Sequence, residues 1–312
     1  MIFLYIIWFS KRSQNNIIKL STYLGRMSAV KRILVTGANK GIGEALCKKL
    51  LVDFSDTYVL LGSRDAGRGQ DAVEGIISQV GSEGIRNRIQ FLQIDVSSNE
   101  SVVNAASVVT EQFGLESLYA IVNNAAIGFG KDLNETIQTN VYGPKRVTEA
   151  FFPLLSSHGA RIVNISSAVG PMYVAKCIAA GKPVDEFINS NITTWAVLQQ
   201  RIDQVLQEDA SGDLKETDAY GFSKACLNAY TMQTAFLFPH ILVNSCTPGF
   251  IATDLTKGFG ATNTPEMGTV SALHCLFDNE VGSGRYYGSD AVRSPLDRYR
   301  GPGDAPYIPS IP

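Results

Sequence analysis

The chain has 312 residues and a formal net charge of −2, with 45% hydrophobic and 18% charged residues. Those values describe an ordinary globular chain able to bury a sizeable core, and they exclude the basic footprint that nucleic-acid binding requires. Three histidines and five scattered cysteines, none in a C-x-x-C pair, argue against zinc or any other metal site.

The first stretch, MIFLYIIWF, is apolar and is followed by Lys11 and Arg12. It is too short for a bilayer span, which takes about 20 apolar residues. No basic region precedes it, so it makes a poor secretory signal. Residues 1–26 hold no acidic residue and carry Lys11, Arg12, Lys19 and Arg26, a composition compatible with an organellar transit segment. Met27 then opens MSAVKRILVTGANKG, which reads as a domain start. The expected organisation is an extension at 1–26, either a targeting peptide or an over-long start, and one domain at 27–312. Cys47, Cys177, Cys226, Cys246 and Cys275 read as reduced core residues. That suits cytoplasm, or an organelle matrix if 1–26 is a transit segment, with no stable membrane insertion.

From Arg32 onward strands and helices alternate. RILVT (32–36) is a continuous apolar run, the mark of a strand buried on both faces. Further strands are expected at 57–62, 89–95, 118–124, 160–166 and 240–246. Helices are expected after 41, at 68–80, 98–113, 134–155, 218–237 and near 265–277. This order predicts an α/β fold with a doubly wound parallel sheet, Rossmann-like, in a single domain. Residues 171–215 break the alternation and read as a helical insertion before the Tyr220 helix. Within it Ile192, Trp195, Leu198, Ile202, Val205 and Leu206 fall at helical spacing. The tail after Arg285 shows no period and reads as an ordered or loose surface arm.

The loop between the first strand and its helix is TGANKGIG, Thr36 to Gly43. Gly37, Gly41 and Gly43 let the backbone approach a charged ligand, with Asn39, Lys40 and Ile42 between them. The helix start then offers free N–H groups to a diphosphate. The strand–loop–helix context supports a nucleotide site. The second strand ends LLGSRD. Folds that bind NAD place an acidic residue there; here Ser63 holds the place, Arg64 follows, and Asp65 comes one residue late. Arg64 with Lys40 could grip a 2′-phosphate, which favours NADP(H); the plain alternative is a solvated arginine at a strand end.

In TDAYGFSKACLNAY, Tyr220 and Lys224 leave the same helix face, since four residues turn a helix by about 400°. One reading is a solvated lysine beside a half-buried aromatic. The other is chemical: an ammonium lowers a phenol pKa from about 10 and makes proton transfer practical at neutral pH.

With TGANKGIG at 36–43, NNAA at 123–126, TNVYG at 139–143, NISSAVG at 164–170, YGFSK at 220–224 and TPGFIATD at 247–254, the chain strongly resembles the short-chain dehydrogenase/reductase family over about 31–288. The wide gap between Ser167 and Tyr220 resembles its monomeric carbonyl reductase branch. The resemblance implies roles. Tyr220 would protonate the carbonyl oxygen as hydride arrives. Lys224 would lower the Tyr220 pKa and hold the nicotinamide ribose. Ser167 would bond the substrate oxygen, and Asn140 would anchor a water that relays protons to Lys224. Asp95 and Val96 would border adenine, with Asn123 and Ala125 beside the cofactor. Pro248, Gly249, Ile251 and Thr253 would line the nicotinamide. Ser166 reads as a structural hydroxyl. Two departures are Ala126, where glycine is commoner, and Tyr119, where many members carry Asp.

Met172, Tyr173, Trp195, Phe250 and Phe259 are candidate pocket walls, or core. Such a wall suits a small-molecule carbonyl substrate: a ketone, aldehyde or quinone. The insertion resembles one that covers the surface other members pair through, which implies a monomer. Two rivals are an NAD-linked alcohol dehydrogenase and a catalytically silent NADPH-binding regulator; a methyltransferase on a similar sheet leaves YGFSK unexplained.

Overall fold

The computed structural model describes residues 30–128, 130–209 and 215–308; the expectation for residues 1–26 lies outside them. Eight strands form one sheet in the order β3-β2-β1-β4-β5-β6-β7-β8. The strands are β1 (Lys31–Val35), β2 (Thr57–Ser63), β3 (Ile89–Gln93), β4 (Ala120–Asn123), β5 (Arg161–Ile165), β6 (Leu242–Cys246), β7 (Arg285–Tyr287) and β8 (Arg293–Ser294). All neighbours run parallel except β7 and β8. This is the doubly wound arrangement that the strand–helix alternation predicts.

The strand period of two splits the apolar residues between the sheet's faces. Ile33, Val35, Val59 and Leu61 join one core with α1 (Gly41–Asp53), α2 (Ala66–Val80) and residues 272–276. Leu34 and Leu60 face the other way. They meet Val102, Ala106 and Val109, then Val147 and Phe151. Between α2 and β3 lies a short α3 (Glu83–Arg86). The second face is covered by α4 (Asn99–Phe113), capped by Ser98 Oγ, which accepts from Ser101 N at 3.2 Å.

The helix expected at 134–155 is interrupted. It runs as α5 (Leu133–Ile137), a π turn (Gln138–Tyr142), α6 (Gly143–Phe151) and a 3₁₀ turn (Phe152–Leu154). The α-helical donor to the Asn140 carbonyl would be residue 144, a proline without an N–H. The turn therefore widens there, and π turns recur at functional sites.

The break after Ser167 contains three helices, α7 (Val169–Ala179), α8 (Asp185–Ile188) and α9 (Trp195–Glu208). Val174, Phe187, Leu198, Ile202 and Val205 from these helices share a third core with Phe222, Ala225 and Cys226 of α10 (Glu216–Leu237). Ile192 stays exposed. Trp195 sits edge-on to Tyr142 (5.5 Å) and Tyr230 (6.0 Å), with Lys145 over its ring, so α9 braces α10 from the side.

The helix expected near 265–277 is a 3₁₀ turn (Met267–Thr269) leading into α11 (Val270–Phe277). The tail after Arg285 is no loose arm. It adds β7 and β8 to the sheet and buries Tyr286 and Tyr287. All five cysteines are buried and none forms a disulfide. Among the described residues no helix is long and apolar enough to cross a membrane, and no cluster of metal-ligating side chains occurs.

Candidate active site

Strand order reverses between β1 and β4, and open parallel sheets bind ligands where it does. A cleft of about 1010 Å³ opens at that point. One wall is the loop after β1. Gly37 lies in the left-handed region (φ 62), and a Cβ there would come within 2.7 Å of Ala125 Cα. Gly43 lies outside the lining; a Cβ on it would meet Asn124 Nδ2 at 2.5 Å and Ala38 Cα at 2.8 Å. Its role is to let α1 start close behind the loop. Asn124 holds that loop in turn, donating to Thr36 O (2.9 Å) and Gly37 O (3.1 Å). No side chain caps the first turn of α1, which leaves its N–H groups for an anion. Gly37→Ala is expected to cost about 1–3 kcal/mol in a denaturant melt, from left-handed strain alone. In the same variant dinucleotide affinity should fall about tenfold or more by titration, because the loop moves off Ala125.

Gly37, Asn39, Lys40, Gly41, Ile42, Arg64, Asp95, Val96 and Ala125 all line the cleft, with Pro248, Gly249, Ile251 and Thr253 opposite. Arg64 leaves β2 and Ser167 leaves β5, three strand spacings apart, about 14 Å across. That span, a glycine cradle between and basic groups at the β2 end fit an extended dinucleotide. Sequence reasoning missed Arg68, which also lines the cleft; a helical spacing of four from Arg64 was the available signal. Asp65 is spent elsewhere, accepting from Arg68 N (2.9 Å) and pairing with its guanidinium (3.2 Å). Lys40 reaches across the cleft to Asp254, which leaves Arg64 and Arg68 as the basic groups at the β2 end. Asp95 is fixed by Ser97, whose N–H and hydroxyl both donate to Oδ1.

Asn123 does not line the cleft. It is buried, donates to Asn164 Oδ1 (2.8 Å) and ties β4 to β5; its neighbour Asn124 is the lining residue. Asn140 is buried behind the lining too. Its Oδ1 accepts from Ile127 N (2.9 Å), and its Nδ2 donates to Ile127 O (2.9 Å) and Ser223 Oγ (3.1 Å). Ser223 Oγ then donates to Tyr220 O (2.8 Å), so one buried hydroxyl couples the π turn to the first turns of α10. Tyr119 bonds Leu276 O (2.6 Å) under α11 and has no part in the cleft, while Ala126 lines it. Of the candidate walls only Phe250 lines it; Met172, Tyr173, Trp195 and Phe259 do not. Ser166 is buried and structural in its bonding, with its N–H on Cys246 O, yet it borders the cleft.

Tyr220, Lys224 and Ser167 converge on the far wall. Tyr220 is hydrogen bonded to Ser167. Lys224 Nζ donates to Ile165 O (2.9 Å) and lies 5.5 Å from the Tyr220 ring centre. The expected electrostatics are reversed. Burial pushes the Tyr220 phenol above its ordinary value, and the Ser167 bond recovers only part of that. Burial also pulls Lys224 down to about 7. Both groups lose water, and an ammonium already half discharged at neutral pH offers the phenol little.

The family model for short chain dehydrogenase matches residues 31–182. A (+)-neomenthol dehydrogenase of Arabidopsis thaliana is 36% identical over 294 residues, 83% of this chain and 96% of that one. The chain is a short-chain dehydrogenase/reductase. A rat protein named carbonyl reductase [NADPH] 3 is 30% identical, covering 77% of this chain and 89% of its own. The structure of salutaridine reductase from Papaver somniferum superposes with a TM-score of 0.70 at 27% identity, over 82% of this chain and 99% of that one. This short-chain dehydrogenase/reductase is thus an oxidoreductase of the carbonyl-reductase-like branch that the gap before Tyr220 suggests.

Proposed function

We propose that the chain reduces a ketone, aldehyde or quinone to an alcohol with NADPH, Tyr220 being the proton donor. The convergence of Tyr220, Ser167 and Lys224 at one end of a cleft whose other end carries Arg64 and Arg68 supports this reading most. A rat relative whose name includes NADPH agrees with it. When bound, NADPH supplies the hydride. Arg64 and Arg68 would hold its 2′-phosphate, the loop 37–42 its diphosphate, and Pro248 to Thr253 its nicotinamide end. Ser167 orients the substrate oxygen and Tyr220 gives it a proton. The phenol is protonated at neutral pH, as an acid must be; burial raises its pKa further and the Ser167 bond partly offsets that. Lys224 would hold the nicotinamide ribose from the same helix face. Asn140 and Ser223 fix the Tyr220 backbone.

The test is loss of reduced-nicotinamide absorbance with a panel of ketones, aldehydes and quinones. Silence across the panel with a folded, NADPH-binding protein would count against the reading. The NAD-linked alternative is set against by the spent Asp65 and by Ser63, whose hydroxyl donates to Asp65 O. Arg64→Asp is expected to weaken NADPH binding about 10–100-fold and leave NADH within about twofold, measured by fluorescence titration. Ser167, Tyr220 and Lys224 together in the cleft count against the silent regulator. We also propose a monomer, because α9 covers α10 beside α6; sedimentation should give a mass near 33.8 kDa.

A further inference from the structure

An ion pair outside the cleft is built into the segment that leans on it. Arg300 meets Asp290 with both prongs of its guanidinium, Nη1 to Oδ1 at 3.0 Å and Nη2 to Oδ2 at 2.8 Å. Its other bonds run from Nε to Ala305 O (3.0 Å), from Nη2 to Asp304 O and from Nη1 to Ser294 Oγ on β8 (3.5 Å). Asp290 also accepts from Gly303 N (3.1 Å) and Val292 N (3.3 Å). The arginine side chain is 5% exposed. Bidentate pairs of this kind add geometry as well as energy. Here the pair staples residues 300–305 to the turn between β7 and β8.

That turn reaches the cleft wall by contact. Tyr287 O accepts from Thr247 N (3.0 Å), carrying β7 alongside the start of the loop after β6. Gly288 backs onto the staple, since a Cβ there would come within 2.7 Å of Asp290 Oδ1 and 3.0 Å of Arg300 Nη1. Ser289 stands against Gly249, where a Cβ would sit 3.1 Å from its own. Gly249 is left-handed (φ 90) and lines the cleft. Ala291 in the same turn also has positive φ (61), a conformation that persists only where its surroundings hold it.

We propose that the Asp290–Arg300 pair is a positioning device: through Ser289 it fixes Gly249, and with it the Pro248–Ile251 wall facing the reacting end of the cofactor. This rests on the reading of the cleft as an NADP(H) site. Neither residue lines the cleft, so the effect is exerted through the turn, by Ser289 against Gly249 and by Tyr287 beside Thr247. The test compares wild type with Asp290→Asn and Arg300→Lys. Three quantities are read for each: affinity for NADPH, affinity for 2′,5′-ADP, and kcat with a ketone that wild type reduces.

On that reading the adenosine half would be held by Arg64 and Arg68, apart from the Pro248–Ile251 wall. The expected result is kcat lower by about tenfold or more and weaker NADPH binding, with 2′,5′-ADP affinity unchanged. Arg300→Lys, which keeps the charge and loses the fork, should show the same pattern more mildly; it carries the test if Asp290→Asn does not fold. A folded variant with wild-type kcat and NADPH affinity overturns the proposal. Parallel weakening of both ligands overturns it as well, since that marks a general loss of fold. A wild type that fails to bind NADPH overturns the underlying reading, and is told apart because no variant is needed to see it.

Discussion

Tyr220→Phe is expected to bind NADPH as wild type does and to turn over about 10²–10⁴-fold more slowly. The substitution removes one oxygen from a side chain that is 8% exposed, so no cavity forms and the ring keeps its packing. The hydrogen bond to Ser167 and the phenolic proton disappear with that oxygen. The bond is worth about 0.5–1.5 kcal/mol to stability, which a melt would barely register. Activity and stability therefore separate. A steady-state assay with a reducible ketone checks this, and turnover within tenfold of wild type would sink the assignment of the acid.

Lys224→Met is expected to abolish turnover and yet stabilise the protein in the absence of cofactor. Lys224 is 2% exposed and its charge is opposed by burial, which pulls the group down to about 7. An unfolded lysine holds its proton to about 10.4. Between these values the unfolded chain binds more protons than the folded one, so stability rises with pH. The penalty is full below pH 7 and gone near the ordinary lysine value; above about 10 Tyr220, raised by burial, acts with the opposite sign. Methionine carries no such penalty. A gain on the order of 1–3 kcal/mol is expected below pH 7, fading as pH rises. The Ile165 carbonyl loses a donor in the same variant, a loss of about 1 kcal/mol set against the gain. Urea melts of both proteins at several pH values check the sign. A variant less stable than wild type at pH 6.5 would contradict it.

The sheet was legible because β1, β4 and β5 each hold a short apolar run, at 33–35, 120–122 and 162–163, whose successive residues are all buried, the mark of a strand covered on both faces. The glycine loop was legible because its spacing is fixed by how closely backbone and ligand must approach. Tyr220 and Lys224 were legible through helix geometry alone. Their pKa values were not, because desolvation belongs to the folded surroundings and leaves no trace in a four-residue spacing. The π turn could have been read from Pro144, which removes the α-helical donor to Asn140, but the apolar period across 134–155 masks it. β7 and β8 were missed for want of length: three and two residues carry no period, and only pairing with residues 244–246 of β6 makes RYY a strand. Trp195 had the right spacing for a wall and the wrong direction, which depends on where α9 docks.

The docking of α9 on α10 has one more consequence. The brace that steadies Tyr220 and Lys224 comes from the same polypeptide, so its local concentration is set by chain connectivity and not by how much protein is in the tube. The alignment of the proposed proton donor and its lysine is held at any protein concentration.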